Sequence, residues 1–98
     1  MRWYRREGYV VLDRNWRSDH GELDLVLRRG TIVVFSEVKA RASERYGPAA
    51  AAVGVHKQRR LRRLAAAWLA ATGTHGVDVR FDVVAVTGTS LEVIEGAF

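Results

Sequence analysis

Asp24 and the triplet Glu37-Val38-Lys39 are the residues of this chain whose types and spacing suit chemistry. A hard divalent cation such as Mg²⁺ is held by one or two carboxylates and completes its shell with waters and substrate phosphates. A lysine beside such a pair can orient an attacking water or stabilise negative charge developing on a phosphate. Glu22, two residues before Asp24, supplies a third acid of the same strand parity. The chemistry this set suggests is phosphate chemistry, provided the acids meet in space.

The elements that must bring them together lie between Gly21 and Arg41, which read as two strands joined by a tight turn at Arg29-Gly30. Leu23, Leu25 and Leu27 alternate with Glu22, Asp24 and Val26, the period of a half-buried strand. In the second strand, Ile32, Val34, Ser36 and Val38 share one face, and Val33, Phe35, Glu37 and Lys39 the other. If Arg28 stands opposite Thr31, then Val26 meets Val33, Asp24 meets Phe35 and Glu22 meets Glu37. Three carboxylates and one lysine then gather on one face. A turn one residue longer would put the two acidic sets on opposite faces. Like charges facing each other destabilise a sheet, which a bound cation would relieve. The competing account is a solvated face on which Lys39 neutralises Glu37. Hairpin logic alone leaves both open.

Asp24, twelve intervening residues, then Glu37-Val38-Lys39 is similar to the PD-(D/E)xK pattern of restriction-endonuclease-like nucleases. Further segments follow in order along nearly the whole chain. They are Gly8-Tyr9 to Asn15-Trp16-Arg17, Gly21 to Leu25, Val34 to Lys39, Arg41, Lys57-Gln58-Arg59-Arg60 and Arg80-Phe81-Asp82-Val83-Val84. Together they resemble the YraN-like family, small bacterial proteins predicted to be nucleases and similar to archaeal Holliday-junction resolvases. The resemblance implies an α/β fold: a restriction-endonuclease-like mixed β-sheet with flanking helices. It implies Asp24, Glu37 and Lys39 as catalytic residues, with Asp24 and Glu37 as ligands of Mg²⁺ or Mn²⁺ and Glu22 as a secondary ligand. It implies DNA, branched or damaged, as substrate. Because junction resolvases work as dimers, a homodimer fits too, although no residue demands one. Family members begin with a longer helix than Met1–Glu7 supplies, so the first helix is expected to be largely missing. Glu7 is then the only acid available to stand for the ligand that junction resolvases take from that helix.

Composition narrows the partners. At 98 residues the chain is expected to form a single domain, 1–98. Sixteen Lys and Arg against eleven Asp and Glu give a net charge of +5, which favours a polyanionic partner. No cysteine is present, so disulfide frameworks and thiolate metal sites are excluded. No signal-peptide core and no long apolar run appears, so no membrane partner is expected, and a cytoplasmic location follows by default.

The remaining elements read in order. Met1–Glu7 is a helix end stopped by Gly8. Tyr9 to Leu12 is a short strand, and Asp13 to His20 carries the loop signals Asn15, Ser18, Asp19 and Gly21. Trp16 among arginines reads as a packed rim residue, and His20 as incidental to the acids. Arg41 to Tyr46 is a polar loop near the site. Pro48 opens a short helix through Val53. A longer helix spans His56 to Ala71 and ends at Gly73, burying Leu61, Leu64, Ala65, Trp68 and Leu69. Lys57, Arg59 and Arg60 occupy its first turns, where the helix dipole disfavours cations, and a bound phosphate would relieve that conflict. Arg41, Lys57, Gln58, Arg59, Arg60 and Arg63 are the candidate nucleic-acid contacts, and the resemblance of Lys57-Gln58 to the family's Lys-Gln pair implies Gln58 as an orienting residue. Asp78 to Val86 is a buried strand in which Asp82 partners an arginine or an amide. Leu91 to Ile94 is an edge strand. The alternative to a nuclease is a nucleic-acid-binding module without catalysis, using the basic helix and a degenerate site.

Overall fold

In the computed structural model, which describes residues 1–40 and 53–98, a mixed sheet carries a helix on each face. The elements are α1 (Arg2–Arg6), β1 (Val10–Ser18), β2 (Gly21–Arg29), β3 (Ile32–Ala40), α2 (Val55–Thr72), β4 (Asp78–Thr87) and β5 (Ser90–Ile94). The strands lie in sequence order. β3 and β4 pair in parallel across the connection that contains α2, and the other pairs are antiparallel. This α/β arrangement is the expected fold class and is compatible with a restriction-endonuclease-like fold. Among the described residues, no helix is long and apolar enough to cross a membrane.

Strand alternation separates two cores. Val26, Val33, Phe35, Phe81, Val83 and Ala85 face α2, whose Leu61, Leu64, Ala65 and Trp68 fall on one stripe. Leu25, Leu27, Val34 and Val84 face the other way, onto Tyr4 and Tyr9. α2 stops at Gly73, whose left-handed backbone (φ 67°) suits a residue with no Cβ.

Two expectations change. The polar run after Leu12 is strand, not loop: β1 continues to Ser18, pairing Arg14 with Leu25 and Arg17 with Glu22. Its loop signals mark a shift of register between Val11 and Asp13, the positive φ of Asn15 (50°) and the turn into Gly21. The β2–β3 turn is Gly30-Thr31, because Arg29 pairs with Ile32 and Arg28 with Val33. Gly30 takes φ 60° at the first central position, which a primed hairpin turn requires and which Arg29 would adopt only under strain. The register is thus offset by two residues from the expected one, an even number that leaves face assignments intact near the turn. The short helix expected from Pro48 through Val53 falls almost wholly on residues 41–52, outside the described residues, as does the loop before it.

Candidate active site

The acids and lysines converge where the early part of β2, the late part of β3 and the first turn of α2 come together. The ladder between β2 and β3 runs from Arg29–Ile32 to Leu25–Ser36. Just beyond it, the Val38 amide donates to Asp24 Oδ2 at 2.9 Å. A side chain thus takes a strand amide next to the ladder's end, and it ties Asp24 to the Glu37-Val38-Lys39 segment. Glu37 lies on the α2 side, where its Oε1 stands 3.1 Å from Lys57 Nζ. Its side chain is only 12% exposed and that of Lys57 24%, so the pair is largely withdrawn from water.

Lys39 completes the group. Its side chain meets Lys57 and feels the charges of Glu37 and Asp24. Contact with the Lys57 ammonium, then burial, pull the Lys39 pKa below that of an ordinary lysine, and the two carboxylates only partly offset this. Lys57 goes the other way: burial works against its charge, but its contacts with Lys39 and Glu37 outweigh that and raise its pKa. Two ammonium groups in contact cannot both be comfortable, and the one holding Glu37 keeps its proton more firmly.

Glu22 is not with them. Leu23 and Val26 share the α2-side core, while Leu25 and Leu27 lie on the other. Regular alternation cannot do this, so the phase of β2 changes around Asp24. Glu22, beside Leu23, faces away from α2 and pairs with Arg17 at 3.0 Å. The face of three acids expected from the hairpin is therefore divided. Among the described residues, no group of three His, Asp or Glu side chains stands close enough to hold a metal. Glu7 is the C-cap of α1, and its carbonyl accepts Arg29 Nη1 at 2.8 Å, near the hairpin turn and away from Asp24.

An open cleft of about 330 Å³ borders Asp24 on the face away from α2, lined also by Met1, Arg14, Asn15, Leu25 and Val38 but not by Glu37, Lys39 or Lys57. On the other flank, Gly21 passes beneath α2. A Cβ there would stand 3.6 Å from Leu64 Cδ1 and 3.8 Å from Arg60 Cδ, so Arg60 reaches along the start of β2. Arg59, Arg60 and Arg63 are exposed on α2. Gln58 is turned inward instead, its Nε2 donating to the Val53 carbonyl at 3.0 Å. Arg41 lies outside the described residues. His20 is exposed in the β1–β2 turn, and Trp16 packs partly buried against the α2-side core.

Sequence reasoning assigned Lys57 to nucleic acid and missed its ion pair with Glu37. The signal was present: a lysine in the first turn of a helix asks for an anion, and the anion is a side chain of the same protein. It also missed the bond from Trp68 Nε1 to Asp13 Oδ2, 3.0 Å, which ties α2 to β1.

Residues 1–86 match the family described as Uncharacterised protein family UPF0102. This chain belongs to that family. It is 53% identical to a UPF0102 protein of Beutenbergia cavernae over 88 residues, covering 90% of this chain and 75% of the relative. A UPF0102 protein of Frankia alni is 51% identical over 96 residues, 93% of this chain and 80% of that one. One from Klebsiella pneumoniae is 44% identical over 99 residues, 99% of this chain and 77% of that one. The YraN-like resemblance of the motifs is thus a UPF0102 membership. The residues matched include all of β1, β2, β3 and α2, and hence Asp24, Glu37, Lys39 and Lys57.

Proposed function

We propose that this protein is a metal-dependent nuclease that hydrolyses phosphodiester bonds in DNA. The observation that carries the reading is the grouping of Asp24, Glu37 and Lys39 about the Val38 amide, on adjacent strands. A sheet that needed only stability would not bring two acids and two lysines together at a half-buried place, because functional sites are where local stability rules are broken. The donor set fits Mg²⁺ or Mn²⁺: both groups are hard carboxylates, and such an ion needs only one or two of them, the rest of its shell being water and phosphate. Asp24 and Glu37 would hold it. Once bound, the ion supplies Lewis acidity, neutralising phosphate charge and making water a better nucleophile.

The chain's own residues do the rest. Asp24 is held in place by the Val38 amide and carries its charge toward the cleft. Lys39, its pKa lowered by contact with Lys57 and by burial, gives up its proton more readily than an ordinary lysine. Protonated, it neutralises a phosphate oxygen; neutral, it accepts a proton from attacking water. Arg59, Arg60 and Arg63 offer sequence-independent contacts to the phosphate backbone.

The test is cleavage. Purified protein with Mn²⁺ is incubated with supercoiled, linear and branched DNA. Nicking is expected, and Lys39→Ala should abolish it while leaving DNA binding measurable. Binding without cleavage across DNA and RNA forms would decide for a nucleic-acid-binding module with a degenerate site. The Lys57–Glu37 pair, which occupies one of the two carboxylates, is the observation on that rival's side.

A further inference from the structure

Building on the metal-site reading, we propose that Lys57 is the resident counter-cation of the acidic site. It neutralises Glu37 in the metal-free protein and is expelled when a divalent cation binds Asp24 and Glu37. The distance is that of a formed ion pair, 3.1 Å, and both side chains are mostly shielded from solvent. A carboxylate so withdrawn is costly to leave uncompensated, so something cationic must stand beside it whether or not metal is bound. Lys39, two residues along β3, feels the Glu37 charge but forms no ion pair with it among the described residues, whereas Lys57 does. Asp24 instead has its own fixed donor, the Val38 amide, and does not depend on Lys57.

The positions of the two lysines make the exchange directional. Lys39 sits on β3, the strand that carries Glu37, whereas Lys57 sits on α2 and reaches the site along a flexible four-carbon stem. Two positive charges competing for Glu37 repel each other, so metal and Lys57 oppose one another at this carboxylate. An ammonium displaced from Glu37 remains at the first turn of α2, near Arg60, where it adds to the cations available to a phosphate. Lys57 is a positioning residue in this account: it keeps Glu37 compensated and ordered until metal arrives.

The competition has a thermodynamic signature that does not depend on activity. Mn²⁺ binding is measured by calorimetry on wild type, Lys57→Met and Lys57→Arg, alongside thermal melts in chelator. Lys57→Met should bind Mn²⁺ more tightly, on the order of tenfold, the scale of one partly shielded ion pair removed from competition. In chelator it should melt lower than wild type, because Glu37 is left uncompensated. Lys57→Arg, which keeps the charge, should restore both values toward wild type. A purely structural lysine would lower the melt without tightening metal binding. If Lys57→Met is too unstable to titrate, Lys57→Met in the Glu37→Gln background serves: with no charge at Glu37, the further loss of Lys57 should cost little stability in chelator. A full, additive loss there overturns the proposal. Equal or weaker Mn²⁺ binding by Lys57→Met than by wild type overturns it while leaving the metal site standing. Mn²⁺ binding by Lys57→Met alone supports it. No Mn²⁺ binding by either protein overturns both the proposal and the metal-site reading beneath it.

Discussion

Asp24 is the residue on which the acidic site turns, and its local geometry separates its structural from its chemical role. Its Oδ2 accepts the Val38 amide at 2.9 Å, a bond that an asparagine side-chain oxygen can also accept. Asp24→Asn should therefore change metal-free stability little, by less than about 1 kcal/mol, since one charge leaves a site where carboxylates and ammonium groups already balance. Its metal response should differ. If the proposed metal site exists, wild type at about 100 times its dissociation constant for Mn²⁺ should gain roughly 2.7 kcal/mol, the gain from an ion that binds only the folded protein. Asp24→Asn should lose most of that gain. Melts of both proteins with and without Mn²⁺, at fixed pH and ionic strength, check this. A wild type indifferent to Mn²⁺ beside a clearly destabilised mutant would make Asp24 a structural acid.

At the scale of elements, α2 both packs the sheet and presents charge to solvent. Leu61, Leu64, Ala65 and Trp68 anchor it on the sheet, and Trp68 fixes its rotation through Asp13. The remaining faces carry arginines with different fates. Arg62, exposed as a residue, lays its guanidinium over the rings of Phe81 (4.9 Å) and Phe98 (5.6 Å), a cation–π position. Arg59, Arg60 and Arg63 are exposed as well and lie over no ring among the described residues, which leaves them open to phosphates. DNA affinity should fall with salt at a slope of roughly 0.9 per phosphate neutralised. Replacing Arg59, Arg60 and Arg63 with Gln should flatten the slope by about two to three units, roughly one for each phosphate no longer neutralised. Fluorescence anisotropy over a salt series measures it. An unchanged slope would reduce these arginines to a solvated face and move the DNA-binding surface elsewhere, with the Arg14 side of the cleft the next place to look.

At the scale of the molecule, one buried carboxylate joins parts of the chain that lie far apart in sequence. Asp82 is fully buried on β4. It accepts Tyr4 Oη at 2.7 Å, Arg80 Nε and Nη2 at 2.9 Å each, and the Gly96 amide at 3.0 Å. Tyr4 also meets Ser36 Oγ at 3.0 Å, so α1, β3, β4 and the segment after β5 share one network. Burial, with the neighbouring Asp82 charge, pushes the Tyr4 pKa far up, so its hydroxyl stays protonated. Asp82→Asn should cost about 3 kcal/mol, because an amide oxygen cannot serve all these donors and Arg80 keeps only the exposed Glu95, 3.5 Å away. Tyr4→Phe should cost about 1–3 kcal/mol, the range for leaving buried partners unsatisfied. The double mutant should cost less than the sum, because both changes break one network. Urea denaturation of the four proteins completes the cycle, and simple additivity would show that the bonds act independently.

What the chain determines by itself is local. Leu23, Leu25 and Leu27 against Asp24 and Val26 mark a strand, and the apolar stripe from Leu61 to Leu69 marks a helix, because periods of two and 3.6 residues are written in neighbouring side chains. Gly73 ends α2 because a residue with no Cβ takes the left-handed backbone there. The sequence likewise singled out Asp24, Glu37 and Lys39, and it made Asp82 a partner for an arginine. Tertiary structure decided how these pieces meet. β1 runs to Ser18, through residues with loop preferences, because pairing with β2 outweighs local propensity. Gly30 moved the turn by one residue, and the phase change around Asp24 put Glu22 with Arg17 instead of Glu37. A strand's register and its irregularities depend on the partner strand, which no window of sequence contains. The same holds for Lys57. Its charge and helical position were legible, but the anion it neutralises lies on β3, twenty residues back in the chain, brought to it only by the packing of α2 on the sheet.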